Sequence, residues 1–149
     1  MAWALGGIGE VVSGGAKSGG AFSMLPEDRV RAQLVFCAAP NSRKPARRAD
    51  PMARTFSAQA HADRAYFEEG RAWAVYAALI AARDAGSTVV VMPYIGGALY
   101  AGPFAREDDL QSTFRAGVNA VLEFGRLPGG AQLEPLGKHF RAVHIVASR

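Results

Sequence analysis

The sequence predicts an α/β domain with a mainly parallel sheet, and three observations carry that expectation. Thr88-Val89-Val90-Val91-Met92 and Ala142-Val143-His144-Ile145-Val146 are short, β-branched and nearly free of apolar–polar alternation, as in strands buried on both faces. Helix-period patterns lie before the first run, over residues 60–85, and between the two, from Asp108 to about Gly125. Helix, strand, helix, strand in that order implies βαβ crossovers with helices covering the sheet.

The first twenty residues hold Gly6, Gly7, Gly9, Gly14, Gly15, Gly19 and Gly20, which predicts a loop-rich segment. Ser23-Met24-Leu25-Pro26-Glu27-Asp28 has the proline and acids of a helix start, so a short helix is expected over residues 24–31. Gln33 to Ala39 is an apolar run closed by Pro40-Asn41 and reads as a buried strand. A long loop follows over residues 40–58, carrying Pro40, Pro45 and Pro51. Tyr66, Trp73, Tyr76 and Ile80, with Leu79 beside them, then form one helical stripe, predicting that Trp73 and Tyr76 belong to the core. Gly86 is the stop signal of that helix. In the second helix Leu110, Phe114, Val118, Val121 and Leu122 share a face. The whole, residues 1–149, is one domain: a glycine-rich loop and short helix over 1–32, then a βαβαβ core over 33–149.

Composition narrows the chemistry. Half of the 149 residues are apolar and a fifth are charged, which fits a globular chain. The net charge is +4, and Arg43, Lys44, Arg47, Arg48 and Arg54 crowd one segment whose only acid is Asp50. Such a run raises the local concentration of anions. A nucleic-acid partner is its weaker reading, since no aromatic residues interleave the cations. Cys37 is the only cysteine, which excludes an internal disulfide and a multi-thiolate metal site. His61, His139 and His144 have no metal-ligand spacing, so no metal is expected. No basic n-region precedes a continuous apolar core, and no stretch is long enough to span a bilayer. A soluble, intracellular protein without membrane partners is the expectation.

The segment from Pro93 to Pro103 joins the surest strand to the second helix, where ligands of open parallel sheets bind. Its small residues let backbone amides converge on phosphate oxygens. Tyr100 and Phe104 offer flat surfaces beside a ribose or base. A plain βα connection, with glycines for backbone reasons, is the competing account. Gly96 and Gly97 are adjacent and no Gly-Lys-Ser/Thr follows, so neither a Walker loop nor a dinucleotide fingerprint is present.

Val89-Val90-Val91-Met92-Pro93 followed by Ile95-Gly96-Gly97-Ala98-Leu99-Tyr100-Ala101-Gly102-Pro103 resembles the late strand and diphosphate loop of macrodomains. Leu34-Val35-Phe36-Cys37-Ala38-Ala39-Pro40-Asn41 is similar to the strand and Ala-Pro-Asn turn of their microbial poly(ADP-ribose) glycohydrolase-like branch. The resemblance covers residues 33–149 and is closest at these two motifs. It implies a macrodomain-like three-layer α/β/α fold and binding of ADP-ribose or an ADP-ribosylated macromolecule, with no cofactor. Ile95, Gly96, Gly97, Ala98, Leu99 and Tyr100 would surround the diphosphate and distal ribose, with Asn41 nearby. Gly19, Gly20 and Phe22 stand where that branch has a further ligand-binding glycine loop, with Ala21 in place of its third glycine. Glu27 would be the catalytic carboxylate of an ADP-ribosyl hydrolase, although Pro26-Glu27-Asp28 replaces the branch's Gln-Glu-Glu. The alternative is a non-catalytic scaffold that keeps the fold without the ligand site.

Overall fold

The computed structural model describes residues 4–12, 17–18, 21–22, 29–37, 41–43 and 58–146. Strand β1 (Ala4–Val12) pairs antiparallel with β4 (Arg29–Cys37) along nine residues, from Ala4 opposite Cys37 to Val12 opposite Arg29. Between them, β2 (Lys17–Ser18) and β3 (Ala21–Phe22) form a second short antiparallel pair. This corrects two expectations. Residues 4–12 are a strand despite three internal glycines, because a full-length partner supplies the ladder that glycine's own propensity disfavours. Residues 29–31, expected in a helix, open β4; the rest of that segment, 23–28, lies outside the described residues.

A helical turn over residues 58–62 precedes α1 (Arg64–Asp84). Asp63 caps α1: its backbone is extended and its carboxylate accepts from the Tyr66 amide at 3.2 Å. The helix leaves at Gly86, whose φ of +75° suits a residue without Cβ. Strand β5 (Val89–Pro93) pairs in parallel with β6 (Ala142–Val146), Val89 opposite Ala142 and Pro93 opposite Val146. This is the parallel part of the fold, so the chain is mixed α/β, with a two-stranded parallel sheet beside antiparallel hairpins. Between them lie 3₁₀ turns over Ala98–Arg106, then α2 (Leu110–Asn119), which relaxes into a π turn over Ala120–Phe124. Gly125, at φ +61°, ends it.

The main core sits between α1, α2 and one face of β5–β6. Val75, Leu79, Met92, Phe114, Val118, Val121 and Leu136 fill it. Each such side chain contributes about 1.5–3 kcal/mol on burial. The face predicted for α2 is the buried one, with Leu122 only half-buried. The face predicted for α1 is buried only at Leu79. Trp73 is 40% exposed and Tyr66, Tyr76 and Ile80 are half-buried, while Phe67, Arg71, Ala74, Val75, Ala78, Leu79 and Ala82 face inward. Small alanines let the helix approach closely, and the larger aromatics are left at the margin. No helix among the described residues is long and apolar enough to cross a membrane.

Candidate functional site

The loop after β5 is built as a sequence of tight turns. The Tyr94 amide donates to the Val146 carbonyl at 3.1 Å, carrying the parallel ladder one step past the strand. The Gly97 amide then donates back to the Tyr94 carbonyl at 3.2 Å, closing a turn whose third residue, Gly96, has φ +70°. Gly97 itself is extended, at φ −73° and ψ 173°, and leads into the 3₁₀ turn that begins at Ala98. That turn breaks at Gly102, at φ 55° and ψ −119°.

Below this loop lies Arg71 of α1, 1% exposed. A buried guanidinium is costly unless paired, and here the partner is Glu68 Oε2, which accepts from Nη2 at 2.5 Å and from Nε at 2.9 Å. The rings of Phe67, Tyr94 and Phe114 surround the guanidinium carbon at 5.2, 5.6 and 5.1 Å. Glu68 Oε1 has no hydrogen-bond partner among the described residues and lies 3.8 Å from Arg64 Nε. Arg64 in turn binds Glu107 and Asp109, tying the start of α1 to the start of α2.

The glycines answer to these neighbours. A Cβ on Gly96 would lie 2.8 Å from Arg71 Cδ. On Gly97 it would collide with the Tyr94 ring, and on Gly102 with the Ser42 carbonyl. Internal packing therefore accounts for all three.

Ser42 joins the two motifs that the sequence singled out. It is fully buried, and both its amide (3.0 Å) and its hydroxyl (2.9 Å) donate to the Tyr100 carbonyl. His61 Nδ1 lies 2.7 Å from the Ser42 carbonyl. Asn41, half-buried, accepts from the Arg43 amide at 3.0 Å and so shapes the turn after β4. No protein-family model, curated protein or solved structure matches the chain.

The expected site residues thus divide. Ser42, next to Asn41, is bonded to Tyr100 at the end of the loop from Ile95, with Ile95 buried and Tyr100 48% exposed. Phe22 belongs to the separate β2–β3 pair. Gly19, Gly20 and Glu27 lie outside the described residues, as does the basic run beyond Arg43 up to Arg54. Among the described residues no cluster of His, Cys, Asp and Glu could hold a metal ion.

Sequence reasoning missed Ser42, Arg71 and Tyr94. Arg71 had a readable signal, a charge four residues from both Phe67 and Val75 on a helical face; Ser42 had none. An apolar concavity of about 310 Å³ opens beside Val91, Met92, Pro93, Tyr94 and Val146, and one of about 50 Å³ lies between α1 and α2. Residues 95–100 line neither of these two.

Proposed function

We propose that the chain binds ADP-ribose or ADP-ribosyl groups on a macromolecule, in a macrodomain-like three-layer fold. The supporting observation is the Ser42–Tyr100 latch. It holds the Asn41 turn against the loop at the carboxyl end of a parallel strand pair, so both family-like motifs meet where such sheets bind ligands. The opening amides of a 3₁₀ turn have no partner within the turn and can donate to phosphate oxygens. Here those are the amides of Ala98 and Leu99, because the Gly97 amide is used by Tyr94. The exposed face of Tyr100 stands beside them for a ribose.

Calorimetry with free ADP-ribose tests this on the intact chain and on Ala98→Pro. Proline is favoured at the first helical position, and the extended Gly97 before it is compatible, so the variant deletes one amide and keeps the turn. Binding by the parent, weakened about tenfold in the variant without loss of melting temperature, is the expected result. No heat and no melting shift with the parent at millimolar ligand refutes the proposal. Hydrolysis is a separate part of it and rests on Glu27: a carboxyl group would assist departure from the ribose anomeric carbon or activate the attacking water. Glu27→Gln should then keep binding and lose turnover; unchanged turnover removes Glu27.

The second reading, a scaffold without a ligand, is favoured by the packing of Gly96, Gly97 and Gly102 against Arg71, Tyr94 and Ser42. It predicts no ADP-ribose binding at all.

A further inference from the structure

We infer that Arg71 is the positioning residue of the loop over residues 94–100. The effect on ligand affinity rests on the ADP-ribose reading; the effect on the loop does not. An apolar side chain would pack α1 against the sheet with no charge to neutralise, so the guanidinium needs another reason. Its fork contacts three elements at once. Two of its nitrogens donate to Glu68 on α1, Nη1 reaches the Tyr94 hydroxyl at 3.4 Å, and Nη2 reaches the Leu110 carbonyl at 3.4 Å. Tyr94 is in turn held edge-on by Phe114, ring centres 5.1 Å apart at 71°.

The aliphatic stem does a different task. Cγ and Cδ form the floor beneath Gly96, at 3.2 and 2.8 Å from where a Cβ would stand. Head and stem together set the height of the loop over α1 and the rotation of Tyr94, whose ring covers Gly97. The direction of the amides that follow is fixed by that turn. Lysine could supply the stem and a charge, but it lacks the planar fork that serves Glu68, Tyr94 and Leu110 together.

The test replaces the ion pair as a unit. Glu68→Leu with Arg71→Met removes both charges and leaves apolar groups of similar length, a change that buried pairs commonly tolerate without loss of stability. Amide hydrogen exchange in the ligand-free protein should accelerate by about tenfold or more at Gly97, whose amide is bonded to the Tyr94 carbonyl, while the middle of α1 keeps its protection. Affinity for ADP-ribose, where the parent binds it, should fall by about tenfold. A role in general stability alone would speed exchange throughout α1 as well.

Should the double variant fail to fold, Arg71→Lys and Tyr94→Phe test the fork and its contact separately, each with faster exchange confined to the loop. Unchanged exchange at Gly97, or unchanged affinity in a parent that binds, overturns the inference. Faster loop exchange in a protein that never binds ADP-ribose leaves Arg71 as the positioning residue and removes the ligand reading.

Discussion

Gly102→Ala should be among the most damaging conservative substitutions in the described part of the chain. Two independent costs follow from its geometry. At φ 55° and ψ −119° the backbone lies where residues with a Cβ are strained, worth about 1–3 kcal/mol. The added methyl would also press on the Ser42 carbonyl oxygen and carbon, backbone atoms held by the contact of that oxygen with His61 Nδ1 and by the donation of the Ser42 amide and hydroxyl to Tyr100. Crowding of that kind costs roughly 1–3 kcal/mol more. The sum, about 2–6 kcal/mol, is a large share of the 5–15 kcal/mol that stabilises an ordinary domain. Urea denaturation of parent and variant measures it as a shift in midpoint at constant slope. A control sharpens the argument: Ser42→Ala alone removes one donor from a carbonyl that keeps another, at about 1 kcal/mol. It should not rescue Gly102→Ala, because the nearest obstruction is backbone. A Gly102→Ala midpoint within about 0.5 kcal/mol of the parent would refute both the strain and the contact.

Three other outcomes follow from the same geometry. Gly117, in α2, has open space where a Cβ would stand, so Gly117→Ala should raise stability by about 0.5–1 kcal/mol, read as a higher melting temperature. Burial pushes the Cys37 thiol up, which favours its neutral form in the folded state. Its contribution to stability is present below the ordinary thiol range and fades as pH rises through the raised value. Disulfide-exchange labelling near pH ~8 should be slower than for an unstructured cysteine peptide, and equal rates would refute the burial. Hydrogen bonds from Lys138 and then His139 hold the exposed Glu134 carboxyl below the usual carboxylate range. That stabilisation is complete above the ordinary carboxylate pKa and is lost as pH falls through the lowered one. Glu134→Gln should therefore narrow the fall in melting temperature between about pH 6 and pH 3.

Local periodicity made much of the C-terminal half legible. The C-terminal end of α1, the strands β5 and β6, and the buried face of α2 follow from apolar spacing and stop signals that act within a few residues; the break at Asp63 that starts α1 does not. Of the N-terminal hairpin, residues 33–37 of β4 were legible as a strand, but β1 was not, because Gly6, Gly7 and Gly9 mask a strand whose partner residues lie 17 to 33 positions away in sequence. On α1 the bulky Trp73 and Tyr76 drew the stripe, whereas Ala74, Ala78 and Ala82 make the close contact. Alanine carries little pattern of its own, and neighbouring apolar residues pointed elsewhere. The connection between β5 and α2 was legible from the strand and helix patterns on either side of it. Its glycines could not be apportioned between ligand and packing until the atoms around each missing Cβ were known.

Those two roles are compatible, and the donor count decides how far. The turn uses the Gly97 amide internally, so on the ADP-ribose proposal a diphosphate over this loop would meet the amides of Ala98 and Leu99 and not a full ring of donors. A glycine-rich phosphate loop that depends on flexibility would lose affinity to the entropy of ordering it. This loop has that entropy removed in advance, because Arg71, Tyr94 and Ser42 fill the space under and around its glycines. Few donors held rigidly favour recognition of a geometry over strength of attachment. On the ADP-ribose proposal, much of the affinity would then have to come from groups around the loop, such as the exposed ring of Tyr100.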